Sequence, residues 1–257
     1  MYQALAKYIV DRIVGLGGAL YFLRDVFFAM FRYPIRWNEV LKQIYEQGLQ
    51  SIVIIALTSL ASGVVLALQG YVMMVRFGAK EYIAQMVSLS LVRELSPVFT
   101  ALIFSGKSGA RITAELGTMN VNDQILATRT LGVDPIEFLV VPRMLAALIV
   151  LPILTVLSEV VGIAGGYFVG VTEAHIPSSF YISQTFKAIR FVDFYSGFAK
   201  IIFFSLLVSW ICCYQGFFTR GGSLGVGKYT TKAVAYSYIF VILFNTLLTK
   251  FIMIFWK

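Results

Sequence analysis

The sequence predicts an all-α integral membrane protein, and three observations lead there. Gln47–Val75 holds 29 residues without a charge, whereas a helix needs only about 20 apolar residues to cross a hydrocarbon core of about 30 Å. Similar apolar stretches recur further along the chain. Hydrophobic residues make up 59% of the chain and charged residues 13%, with a mean hydropathy of +0.82; soluble domains carry about 25% charged residues. A single membrane domain over residues 1–257 is expected.

The elements follow in order. Residues 1–36 repeat apolar side chains at helical spacing, but Lys7, Arg12, Arg24, Arg32 and Arg36 recur too often for a span. An N-terminal interfacial helix with its cations at the headgroups is expected, ended by Pro34. Met1–Asp11 lacks the apolar core and cleavage site of a secretory signal. Five transmembrane helices are expected next, at Gly48–Arg76, Tyr82–Gly106, Phe138–Val171, Ala199–Phe218 and Ala233–Phe255. The first two occupy 48–106, and the second carries Arg93, Glu94 and Pro97 near its middle. The third, 138–171, is longer than a straight span needs, so it tilts or protrudes; it holds Glu159.

Topology follows from Lys and Arg. With the N-terminus in the cytoplasm, segments 1–48, 105–143 and 216–232 lie inside and carry 13 of the 21 basic residues. The loop 107–133 is then cytoplasmic. After a Gly-rich opening, Ile112–Leu131 has helical spacing with Asp123 and Gln124 on its polar side, and Gly132 and Asp134-Pro135 stop it. This short helix reads as a lever for a soluble partner or as a plain connector.

Chemistry-bearing residues are few. The net charge of +8 sits in short loops between apolar segments, which suits anionic headgroups rather than nucleic acid. Cys212 and Cys213 are adjacent in an apolar run and read as small core residues, with no metal site implied. His175, beside Pro177, reads as a surface histidine. Gly222–Lys228 matches G-x-x-x-x-G-K, but Tyr229 stands where a Ser or Thr would hold magnesium, and no βα unit surrounds it. Any ATP that drives this chain is therefore bound by another polypeptide. Arg93 and Glu94 are costly in hydrocarbon, by roughly 2.5–3.5 kcal/mol for a central charge, and point about 100° apart, so each needs a partner on another helix. Glu159 is one candidate for Arg93. Such charges line a substrate path or form a structural ion pair. Gly162, Gly166 and Gly170 at four-residue spacing point to close helix packing, with a substrate groove as the lesser reading.

The stretch Leu91–Pro142, LVRELSPVFTALIFSGKSGARITAELGTMNVNDQILATRTLGVDPIEFLVVP, closely resembles the MlaE (YrbE-type) permeases of ABC phospholipid transporters. Leu68-Gln69-Gly70, Phe77-Gly78-Ala79, Pro152–Thr155, Gly162–Gly170, Gly225-Val226-Gly227, Thr230-Thr231 and Ala233-Val234 extend the likeness over nearly the whole chain in order. The resemblance implies a homodimeric permease of the bacterial inner membrane. It implies that a cytoplasmic ABC ATPase, which binds the ATP and Mg, docks on the loop between spans two and three. It also implies an external ring of MCE-domain lipid-binding proteins. By this likeness Glu115, Gly117, Thr118, Met119 and Asn120 belong to an ATPase-coupling helix, and Arg93 and Glu94 match the family's membrane-embedded charges. Leu66, Met73, Met74 and Phe77 would line a lipid cavity, where flexible Met side chains suit acyl chains; alternatively Met73 and Met74 face bilayer lipid. Ser96, Lys107, Asn120, Asn122, Asp123 and Asn245 depart from the family pattern.

The expected function is therefore the non-catalytic membrane subunit of an ABC phospholipid transporter, with no cofactor bound by this chain. The alternatives are an ion-coupled secondary transporter using Arg93, Glu94 and Glu159, though no inverted repeat is evident, and a structural membrane anchor.

Overall fold

The computed structural model describes residues 2–32 and 35–255, with side chains over 17–32 and 35–254. The described residues form helices joined by short turns, with no strand among them. Eight helices follow one another: α1 (Tyr2–Arg32), α2 (Trp37–Arg76), α3 (Lys80–Val121), α4 (Gln124–Thr130), α5 (Ile136–Thr172), α6 (Ser178–Ala188), α7 (Phe191–Phe217) and α8 (Gly222–Phe255). Five of them, α2, α3, α5, α7 and α8, are long and apolar enough to cross a membrane. The protein is an all-α integral membrane protein with five spans.

The spans alternate in direction and create two ends. The basic end carries the start of α2, the end of α3, α4, the start of α5 and the α7–α8 turn, with Lys107, Arg111, Arg143 and Arg220. The distal end carries the α2–α3 turn and α6. The expected stop at Pro34 and the side chains of Lys7 and Arg12 lie outside the described residues. The half of α1 with described side chains packs one apolar stripe on the bundle and leaves other apolar side chains uncovered. Phe22, Val26 and Ala29 are buried while Phe27, Phe28 and Phe31 are exposed. Phe22 packs on Tyr214, Phe217 and Phe218, and Trp210 donates its indole N–H to the Ala19 carbonyl at 3.2 Å.

The largest departure from the sequence reading concerns 105–121. The Gly-rich opening is no loop: α3 runs unbroken to Val121, widening to π-helical turns at Leu91–Leu95 and Ser105–Gly109. Within this helix, positions 106 and 109 are close contacts: a Cβ on Gly106 would lie 2.7 Å from Tyr238 Oη, and one on Gly109 2.7 Å from Cys212 Sγ. The break falls instead at Asn122–Asp123, where Asp123 adopts the left-handed conformation (φ 56°) that Asp tolerates. The span expected to begin at Gly48 likewise starts at Trp37, and those expected at Ala199 and Ala233 start at Phe191 and Gly222.

The α2–α5 pair forms the centre of the bundle. One face of α2 presents Ser51, Ile55, Ser59, Gly63 and Ala67 at four-residue spacing, all buried. A Cβ on Gly63 would lie 1.8 Å from the Gly162 carbonyl oxygen, and one on Gly165 would lie 2.6 Å from that of Leu60. Only glycine permits this approach. Ser59 and Ser158 share a hydroxyl hydrogen bond of 2.7 Å across the same contact. Gly166 and Gly170 serve a second contact, making a notch for Tyr181 of α6. The glycine repeat is thus a packing device. Gly222–Lys228 forms the first turns of α8, so the resemblance to a phosphate loop ends at the sequence.

Candidate functional site

Two polar clusters are built into the apolar bundle. The first lies toward the distal end, where the π-turn at Leu91–Leu95 aims Arg93 and Glu94 at different neighbours. Arg93 pairs with Asp193 of α7, its Nε donating to Oδ1 at 2.6 Å and its Nη2 contacting the same oxygen. Asp193 is 3% exposed. Its other oxygen accepts the Arg190 backbone N–H at 3.0 Å, and it sits in the first turn of α7, where the helix dipole favours negative charge.

Glu94 faces the other way. Lys200 of α7, only 1% exposed, donates to Glu94 Oε1 at 2.7 Å, to the Arg93 carbonyl at 2.9 Å and to Thr249 Oγ1 at 2.9 Å. From α8, Asn245 donates to Glu94 Oε2 at 3.1 Å, and Thr249 Oγ1 lies 3.0 and 3.1 Å from the two carboxylate oxygens. Asn245 therefore bonds the carboxylate through its amide, where an aspartate would place a second negative charge. The network joins α3, α7 and α8.

Glu159 does not take part. It is buried in α5, and among the described residues none hydrogen bonds or ion pairs with it. The expectation that it partners Arg93 is corrected: the rotation of α3 presents Arg93 to α7, not to α5. The sequence reading missed Asp193, Lys200 and Thr249. Lys200 was detectable as a lone cation inside an apolar run; Thr249 carries no such signal.

The second cluster lies at the basic end. Glu115 accepts from Arg111 Nε at 2.6 Å and from Arg143 of α5 at 3.3 Å. Arg111 also reaches Glu46 at 2.9 Å and Gln50 Oε1 at 3.1 Å, both on α2. Arg143, buried, donates to the Leu139 carbonyl at 2.7 Å, while its own carbonyl accepts from Gln47 at 3.3 Å. Lys107 Nζ contacts the Gln50 carbonyl, and Ser108 bonds the Gln47 carbonyl at 3.0 Å. The end of α3 is therefore tied to α2 and α5 by charge.

The five residues assigned by resemblance to the coupling helix mostly face inward. Besides Glu115, a Cβ on Gly117 would lie 2.9 Å from Thr219 Oγ1, Asn120 donates to the Thr219 carbonyl at 2.7 Å, and Met119 packs on the core. Thr118 alone of the five is exposed. The exposed surface here includes Thr118, Asn122, Asp123, Gln124, Leu126, Arg129 and Leu131, the last 81% exposed.

The four apolar residues assigned to a lipid cavity also divide. Leu66 and Met74 pack into the cluster formed by α2, α3, α5 and α6. Met73, on α2, and Phe77, just past its end, are 68% and 82% exposed. Another uncovered apolar face, Ile239, Ile242, Leu243 and Leu247, lies on α8.

Comparison with known proteins agrees with this architecture. A family model described as Permease MlaE matches residues 40–251, which covers most of the first and last spans, the three between them and both polar clusters. A probable ABC transporter permease protein of Rickettsia typhi is 41% identical over 217 residues, 84% of each chain. The intermembrane phospholipid transport system permease protein MlaE of Haemophilus influenzae is 35% identical over 248 residues, 96% of this chain and 95% of its own. A probable ABC transporter permease protein of Synechocystis is 34% identical over 234 residues, 91% of this chain and 89% of its own. With the family model matching residues 40–251 and a relative 35% identical over 96% of the chain, the chain belongs to the MlaE permease family.

Proposed function

We propose that this chain is the membrane subunit of an ABC transporter that moves phospholipid, powered by a separate ATPase that holds the ATP and Mg. The observation that carries the reading is the unbroken α3. It runs without a break from the exposed Thr118 to Arg93 and Glu94, whose partners Asp193 and Lys200 are buried. A partner pushing on Thr118, Asp123, Leu126 and Leu131 would move a helix whose other end holds the distal network. Leu126 and Leu131 supply apolar contact for such a partner, and the basic end faces the cytoplasm by its excess of Lys and Arg.

The cargo reading draws on the phospholipid transport named for the Haemophilus influenzae relative. Met73 and Phe77 offer an apolar, adaptable wall. Two copies of the chain meet so that these faces enclose lipid, and an MCE-type lipid-binding ring sits over the distal end in the inner membrane. ATP-driven closure of the partner narrows the enclosure, and lipid passes to or from the ring. No bond is made or broken by this chain.

Reconstitution with the ATPase and labelled phospholipid tests this. ATP-dependent transfer above an ATP-free control is expected; equal transfer would overturn it. An ion-coupled carrier instead predicts transfer that follows a proton or sodium gradient without ATP.

A further inference from the structure

Helix α6 lies beside the spans, at the level of their distal ends. The Tyr181 ring fills the notch at Gly170, and its hydroxyl reaches the level of Gly166, where Cβ atoms would lie 2.4 and 3.1 Å away. Gln184 bonds Gln85 of α3 at 2.7 Å, and Tyr167 bonds Ser178 at 2.6 Å. Gly166, Tyr167 and Gly170 belong to the last turns of the α5 span, and Gln85 to the first turns of α3. The docked face of α6 is therefore at membrane-boundary depth.

The opposite face is apolar and uncovered. Ile182 and Phe186, one turn apart, are exposed, and Phe191 and Tyr195 continue the exposed surface onto α7. Lys187 and Arg190 flank this surface and are exposed. Apolar and aromatic side chains with cations beside them, level with span ends, match the composition of a headgroup boundary. Apolar area left in water at this depth would forgo the gain of transfer into adjacent lipid.

The geometry points to α6 as a second interfacial helix, seated in the distal leaflet with Ile182 and Phe186 among acyl chains and Lys187 and Arg190 at the phosphate level. The occupant of this face is the lipid surface, and the assignment does not depend on the transport reading. It also gives the bundle an anchor in each leaflet, α1 at the basic end and α6 at the distal end, with the Tyr181 notch linking α6 directly to the α5 span.

Site-directed spin labelling decides it. The native Cys212 and Cys213 are fully buried, so a nitroxide can be directed to Phe186→Cys in the full chain. The protein is reconstituted in vesicles of phosphatidylethanolamine and phosphatidylglycerol, with Glu173→Cys as the exposed reference beyond α5. Oxygen partitions into lipid and nickel chelate into water. The oxygen-to-nickel collision ratio is expected to be several-fold higher at position 186 than at 173. Equal ratios would place α6 in water, and a label shielded from both reagents would place it under another protein surface; either overturns the assignment. Ile182→Cys, on the same stripe, gives an independent reading should Phe186→Cys fold poorly.

Discussion

Replacing Lys200 by Met tests whether the distal charges act as a balanced set. Lys200 is 1% exposed and its ammonium makes three hydrogen bonds, to Glu94, the Arg93 carbonyl and Thr249. Methionine fills the space but leaves Glu94 with only the neutral donors Asn245 and Thr249. Breaking a buried pair from one side costs about 3–5 kcal/mol. Glu94 is 35% exposed, so solvent screening puts the loss near the lower end, about 3 kcal/mol, or roughly a hundredfold in the folding equilibrium. The double variant Lys200→Met with Glu94→Gln removes the unbalanced charge and keeps partners for Asn245 and Thr249. It is expected to recover about 2 kcal/mol, within the range of coupling for contacting residues. Detergent-titrated unfolding in mixed micelles measures all the variants on one scale. Equal losses in the single and double variants would refute the reasoning, because Lys200 would then contribute through packing rather than charge. ATP-driven lipid transfer by the double variant separates two roles: recovered transfer marks the pair as structural, whereas stable but inactive protein marks it as part of the transport path.

Four further substitutions test packing and burial. Gly63→Ala places a methyl 1.8 Å from the Gly162 carbonyl oxygen, forcing α2 from α5, and should destabilise by about 2–3 kcal/mol. Gly17→Ala, with nothing within 4 Å of the new atom, should stabilise its helix by about 0.5–1 kcal/mol on the same unfolding assay. Tyr181→Phe deletes a buried hydroxyl that has no partner and should be neutral or stabilising by about 1 kcal/mol. Burial pushes the Tyr181 phenol from 10.0 up to about 12, so the folded protein keeps a proton that the unfolded chain releases. The stability this confers is full below pH 10 and is lost as pH rises toward about 12; unfolding followed across that window should show the loss in the parent and not in the Phe variant. Glu159→Gln, at a buried carboxylate with no ion pair among the described residues, should leave ATP-driven transfer unchanged and stability equal or higher. Loss of transfer in a stable Glu159→Gln protein would favour the proton-relay alternative.

Five spans, their approximate positions and the family likeness were legible in the chain itself. Each depends on the transfer of a continuous segment into lipid or on local residue order, and neither needs a neighbour to be specified. The glycine repeat on α5 was equally readable, since small residues at four-residue spacing make one flat face on any helix. Tertiary structure alone decided which charges meet. Arg93 finds Asp193 one hundred residues away, Glu94 finds Lys200 and α8, and Glu159 finds neither. It also turned Glu115, Gly117 and Asn120 inward and left Thr118 and most of α4 outside, with Ile125 buried. The physical reason is rotation about the helix axis. Hydrophobicity determines that a helix enters the membrane, but its azimuth is set by π-turns that add a residue within a turn and by contacts such as Gly63 on Gly162, and these depend on helices distant in sequence.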